Sequence, residues 1–135
     1  LFRSSAASDV YKRQPFCWVC GFSFGAWISM QLLMRRPEIV GFLSVAPPAS
    51  EYDFSFLAPC PSSGLMLQGE DDETIPPESV AMLVEKLSAQ RGIQIDYTRL
   101  PGADHFFTGK LDEMMGVVDA YLDNNLPEDF KRTPQ

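Results

Sequence analysis

The sequence predicts an α/β fold built on a mostly parallel sheet. Two observations lead there. Short apolar runs of strand length alternate, almost strictly, with longer segments whose apolar residues recur at helical spacing. Glycine or proline closes most of these segments. Strands separated by helices imply βαβ units, whose strands run parallel with their C-terminal ends at one edge. The 135 residues suffice for one domain with its own core but are short for two.

Leu1 to Gln14 shows no usable periodicity. The string Asp9-Val10-Tyr11-Lys12-Arg13-Gln14 looks like the translation of a transposon-end sequencing adapter, so residues 1–14 are expected to be a non-native leader. The native chain is then expected to begin upstream, with residues 15–135 as the C-terminal part of one domain. Phe16 to Cys20 is an apolar run ending at Gly21, read as a strand buried on both faces. A helix follows, with Trp27, Ile28, Met30, Leu32, Leu33 and Met34 around much of its circumference. That spread predicts deep burial. Arg35-Arg36-Pro37 stops it, the cations suiting the C-terminal dipole and the proline breaking the ladder.

Ile39 to Val45 reads as a second buried strand, closed by Pro47-Pro48, and Ala49 to Ser63 as irregular. Leu65 to Gln68 is a third strand, closed by Gly69. A helix over about Pro77 to Arg91 carries Val80, Leu83, Val84 and Leu87 at helical spacing, with Gly92 as its stop. Ile93 to Arg99 alternates like a half-exposed edge strand. The last helix, about Lys110 to Asn124, has Leu111, Met114, Met115, Val118 and Leu122 as its expected buried stripe.

Composition narrows the function. With 45% hydrophobic and 21% charged residues the chain is ordinary globular protein, not a disordered one. A formal charge of −7 repels phosphate backbones, so nucleic acid is not an expected partner. No apolar run reaches the roughly 18 residues a spanning helix needs; no charged n-region followed by an apolar h-region is visible, though a native upstream segment could carry one. Three cysteines make no paired disulfide framework, which points to a reducing, cytoplasmic setting.

Gly21-Phe22-Ser23-Phe24-Gly25 matches G-x-S-x-G between an apolar strand and a helix, where a nucleophile elbow must lie. A sharp strand-to-helix turn strains the serine, flanking glycines permit close approach, and the hydroxyl emerges at the C-terminal edge of the sheet. The bland alternative is a tight turn whose serine only caps the helix. A serine hydroxyl needs a base. The chain has one histidine, His105, in the loop after the last strand and so at the same edge as Ser23. The third member should be a carboxylate between them in sequence, and Glu70-Asp71-Asp72-Glu73 supplies four at the end of the preceding strand. Composition alone does not choose among the four.

Taken together, Gly21 to Gly25, Gly69 to Pro76 and Gly102 to His105 resemble the α/β-hydrolase superfamily, especially its small bacterial dienelactone-hydrolase-like and serine-aminopeptidase-like members. The resemblance implies a three-layer α/β/α fold, truncated here at the N-terminus. It implies Asp72 as the triad acid, with Asp71 the fallback, and the backbone N–H of Phe24 as one oxyanion donor. A second donor would come from an upstream loop. It implies hydrolysis of a small ester, thioester or related acyl substrate through an acyl-enzyme, with no cofactor and no metal. Dienelactone hydrolases proper use a cysteine nucleophile; the elbow residue here is Ser23. Pro47 to Ser62 is too short for a helical cap, so an open, shallow site is expected. Tyr52, Phe54, Phe56 and Leu57 either line an apolar acyl pocket or pack over the sheet edge. Without the upstream donor and flanking strands, the 135-residue chain is expected to be poorly active, with an unpaired apolar edge at its first strand.

Two rival readings remain. Cys17-Trp18-Val19-Cys20 is a CxxC, but both thiols fall within a strand rather than at a helix start, and a zinc site would need Cys17, Cys20, Cys60 and His105 together. The other is a non-catalytic relative acting as a binding or interaction module. Oligomeric state is left open.

Overall fold

In the computed structural model, which describes residues 17–126, four strands form one parallel sheet in the order β1-β2-β3-β4. Residues 1–14, expected from the sequence to be a non-native leader, lie outside the described residues. The strands are β1 (Cys17–Phe22), β2 (Ile39–Val45), β3 (Gly64–Gly69) and β4 (Ile95–Leu100). Helix α1 (Phe24–Arg35) joins β1 to β2, α2 (Pro77–Ser88) joins β3 to β4, and α3 (Leu111–Asn125) follows β4. An irregular segment with one 3-10 turn, Ser55–Leu57, connects β2 to β3.

The two-residue period of the strands divides the core. Phe42 and Met66 face one way and pack with Met30 and Leu33 of α1 and Val80, Leu83 and Leu87 of α2. Leu43, Val45, Leu65 and Leu67 belong to clusters that include Val117, Val118 and Tyr121 of α3. Helices therefore cover both faces, giving the three-layer α/β/α arrangement. Four parallel strands put four C-terminal ends at one edge, where the loops after β1, β3 and β4 come together.

Three elements differ from expectation, each for a packing reason. β1 is exposed or half-buried throughout instead of buried on both faces, because among the described residues it has β2 as its sole strand neighbour. On α1 the buried residues are Ala26, Ser29, Met30 and Leu33, while Ile28, Leu32 and Met34 are exposed. Only one stripe of that helix meets the sheet. On α3 the stripe is rotated: Met114, Val117, Val118, Tyr121 and Leu122 pack on the sheet, whereas Leu111 and Met115 are exposed. No helix among the described residues is long and apolar enough to cross a membrane.

Tyr121 gives the fold a measurable pH dependence. It is buried, edge-on to Trp18 at 5.9 Å, and desolvation pushes its phenol up to about 12. The folded state thus favours the neutral phenol. That contribution is complete below the ordinary tyrosine value and is lost as pH rises through about 12. Between those limits the wild-type protein should lose on the order of 2 kcal/mol more than Tyr121→Phe. Urea unfolding of both across this range checks it; parallel pH profiles would refute it.

Candidate active site

Ser23 stands alone between the end of β1 and the start of α1, at φ 55 and ψ −121. That conformation is costly for a residue with a Cβ, on the order of 1–3 kcal/mol, and persists only where the surroundings enforce it. Ser23 N–H donates to the Val45 carbonyl at 2.8 Å, and the Ser23 carbonyl accepts from Ala26 N–H at 2.8 Å. Gly21 makes the turn sterically possible: a Cβ there would collide with the Gly25 carbonyl. At Gly25 an added Cβ meets nothing among the described residues, so close approach explains only the first glycine of the motif.

The Ser23 hydroxyl makes no capping bond to α1. It lies 3.0 Å from His105 Nε2. On the opposite side of the ring, His105 Nδ1 is 2.8 Å from Asp72 Oδ2. Both partners are sequestered, with side-chain exposures of 6% for His105 and 0% for Asp72. Phe24 is the first residue of α1, so its N–H has no acceptor within the helix.

The loop after β3 that carries the acidic run (70–76, the acid loop) and the loop after β4 that carries His105 (101–110, the histidine loop) meet because the end of β3 presses on the segment after β4. A Cβ on Gly69 would collide with the Ala103 carbonyl. Glu70 N–H donates to Leu100 O and Asp71 N–H to Ala103 O, both at 2.9 Å. The four acidic residues then divide by environment. Glu70 pairs with Arg99 at 3.0 Å, Asp71 and Glu73 are exposed, and Asp72 is turned inward. Asp72 Oδ1 accepts the N–H groups of Thr74 and Ile75, each at 2.8 Å. On the other loop, Asp104 accepts from Thr108 N–H at 2.9 Å and Phe106 N–H at 3.1 Å. Those bonds, Thr108's first, hold its carboxyl below the usual aspartate range and brace the turn that carries His105.

Two residues not singled out from the sequence, Gln68 and Tyr97, complete the polar surroundings. Gln68, fully buried on β3, donates to Ile75 O at 2.9 Å and to Asp72 Oδ2 at 3.4 Å. Tyr97 donates to Gln68 Oε1 at 3.1 Å. A polar residue in an otherwise apolar strand was the available signal for Gln68. Exposed aromatic rings flank the serine–histidine pair. Phe22 and Phe106 lie 5.4 and 5.0 Å from the His105 ring. Phe24 and Tyr52, both exposed, form a second group with half-buried Trp27, which stacks on Tyr52 at 4.8 Å.

Tyr52, Phe54 and Leu57 line a cavity of about 510 Å³ against Met82, Leu83 and Leu87 of α2, while Phe56 stacks on Phe54. Ser23, Asp72 and His105 are not among its lining residues. No group of three His, Cys, Asp or Glu side chains among the described residues is arranged to hold a metal ion. Cys17 and Cys20 are exposed, whereas Cys60 is buried in the core on the α1–α2 face, where desolvation raises its pKa.

Comparison with known proteins agrees with this fold. An uncharacterized protein of Rickettsia prowazekii is 52% identical over 108 residues, covering 77% of this chain and 45% of that protein. A protein of unknown function from Agrobacterium tumefaciens, described as an alpha/beta hydrolase, is 54% identical with a TM-score of 0.83. It covers 96% of this chain and 60% of its own. A lidless serine hydrolase from Xanthomonas campestris is 33% identical, with a TM-score of 0.74, over 96% of this chain and 56% of that one. The chain thus spans about half the length of these relatives. The dienelactone hydrolase family model matches residues 3–129, and with a parallel sheet, a strained serine at the strand–helix turn and these relatives, the chain belongs to the dienelactone hydrolase family.

Proposed function

We propose that the protein containing this chain is a serine hydrolase that cleaves small esters, thioesters or related acyl compounds through an acyl-enzyme. Ser23 is the nucleophile, His105 the general base and acid, and Asp72 the residue that orients the imidazole. The observation that carries this reading is the unbroken line from the Ser23 hydroxyl through both ring nitrogens of His105 to the Asp72 carboxylate, at 3.0 and 2.8 Å. A neutral imidazole held by Asp72 carries its proton on Nδ1, which leaves Nε2 free to accept.

Chemistry then follows in two balanced halves. Ser23 Oγ attacks the acyl carbon while its proton passes to His105 Nε2, and the oxyanion forms beside the Phe24 N–H. The imidazolium returns that proton to the leaving alcohol or thiol as the carbon–heteroatom bond breaks. Water repeats the sequence on the acyl-enzyme, releasing the acid and Ser23. The exposed rings of Phe22, Phe24 and Phe106 favour apolar over charged substituents next to the reacting carbon.

A fluorophosphonate probe tests the reading on the full-length protein. Mass spectrometry of the digested adduct should find the modification on Ser23 alone. A folded protein that takes up no probe would favour a non-catalytic binding module.

A further inference from the structure

We infer that Gln68, fixed by Tyr97, is a positioning residue that sets the orientation and the basicity of the Asp72–His105 pair. This rests on the hydrolase reading above. The orientation of the Gln68 amide follows from its partners. The Ile75 carbonyl, 2.9 Å away, can only accept, so the nitrogen of the amide faces it. The second N–H of that nitrogen is then directed at Asp72 Oδ2, the same oxygen that meets His105, at 3.4 Å. The amide oxygen is left for the Tyr97 hydroxyl at 3.1 Å, which also lies 3.3 Å from the Pro77 carbonyl. Both hydrogen-bonding ends of a fully buried side chain are thereby satisfied.

The functional consequence concerns Oδ2. Asp72 Oδ1 is held by two backbone N–H groups, whereas the partners of Oδ2 among the described residues are the imidazole and Gln68. The positive end of the Gln68 amide therefore draws charge from the oxygen that would stabilise an imidazolium. Removing it makes that oxygen more basic and the imidazole easier to protonate. It also frees the carboxylate to swing about its Oδ1 anchor. The other ionisable groups on the surrounding elements are Glu70, Asp71 and Glu73 on the acid loop, Glu78 at the start of α2, Arg99 on β4, and Asp104 and Lys110 on the histidine loop. All are exposed or half-exposed, and the variants below leave them in place.

The experiment is the pH dependence of Ser23 acylation by a fluorophosphonate in the full-length protein, comparing wild type, Gln68→Met and Tyr97→Phe. Gln68→Met keeps side-chain length and removes both amide functions. Its plateau rate should fall about tenfold, and the acid midpoint of the profile should rise by about half a unit to one unit. KM for a small ester should stay within about twofold of wild type, since Gln68 touches no substrate. Tyr97→Phe loses only a half-buried hydroxyl and should shift the midpoint the same way by less; it carries the test if Gln68→Met does not fold. A Gln68→Met protein that melts earlier but superimposes on the wild-type pH profile overturns the proposal. So does an unchanged Tyr97→Phe profile where Gln68→Met yields no protein. A wild type that is never labelled at Ser23 sinks the hydrolase reading itself, a distinguishable failure.

Discussion

Replacing Ser23 by alanine in the full-length protein is expected to lower kcat/KM for a small ester by about 10³- to 10⁶-fold while leaving the protein folded. The substitution deletes one oxygen, whose hydrogen bond is to His105 Nε2. The backbone bonds that hold the turn, Ser23 N–H to Val45 and Ala26 N–H to Ser23, do not involve the side chain. Alanine at φ 55 carries a strain like that of serine, so the elbow keeps its geometry. What disappears is the acyl-enzyme route. The residual rate would come from water attacking a carbonyl polarised by the Phe24 N–H. Steady-state kinetics on a p-nitrophenyl ester, with circular dichroism to verify folding, measures the loss. A variant retaining more than about a tenth of wild-type activity would exclude Ser23 as nucleophile.

How far this site could be read in advance depended on whether its determinants were local. Ser23 was legible because the strand, the glycine and the following helix all lie within a few residues, and each imposes its own signature on the sequence. His105 was legible by elimination, as the one histidine in the chain, placed after a strand. The acidic run was visible, but which carboxylate turns inward depends on Gly69 letting β3 close onto Ala103, a contact between segments more than 30 residues apart. Resemblance, not pattern, singled out Asp72. Gln68 and Tyr97 stayed hidden for the same reason: their pairing is set by the β3–β4 register and the path of the acid loop. Burial of the outer elements departs from their apolar pattern because apolar content fixes how much surface a helix wants covered, not which side its neighbours occupy. α1 illustrates this, with Leu33 buried and Leu32 exposed. On α3 the difference is one of phase, since Tyr121 and Val117 share the stripe that Leu111 and Met115 do not.

Asp72→Asn carries the other large effect. It should reduce kcat by about 10⁴-fold, with the histidine left close to its present position. The reason lies in how many donors converge on this side chain. The introduced amide must keep its carbonyl oxygen toward Thr74 and Ile75, whose N–H groups now meet Asp72 Oδ1 at 2.8 Å. Its NH₂ then occupies the place of Oδ2 and donates to His105 Nδ1. That forces the ring proton onto Nε2, the atom that must accept from Ser23, so the base arrives already protonated at the wrong nitrogen. The same NH₂ confronts the Gln68 amide nitrogen, which now lies 3.4 Å from Oδ2, replacing an attraction with an opposed pair of donors. Asp71→Asn makes the matched control. Asp71 is exposed and meets the histidine loop through its backbone N–H, so the activity of that variant should stay within about threefold of wild type. Reversal of the two results, with Asp71→Asn inactive and Asp72→Asn unimpaired, would move the acid one residue and dismantle the proposed triad.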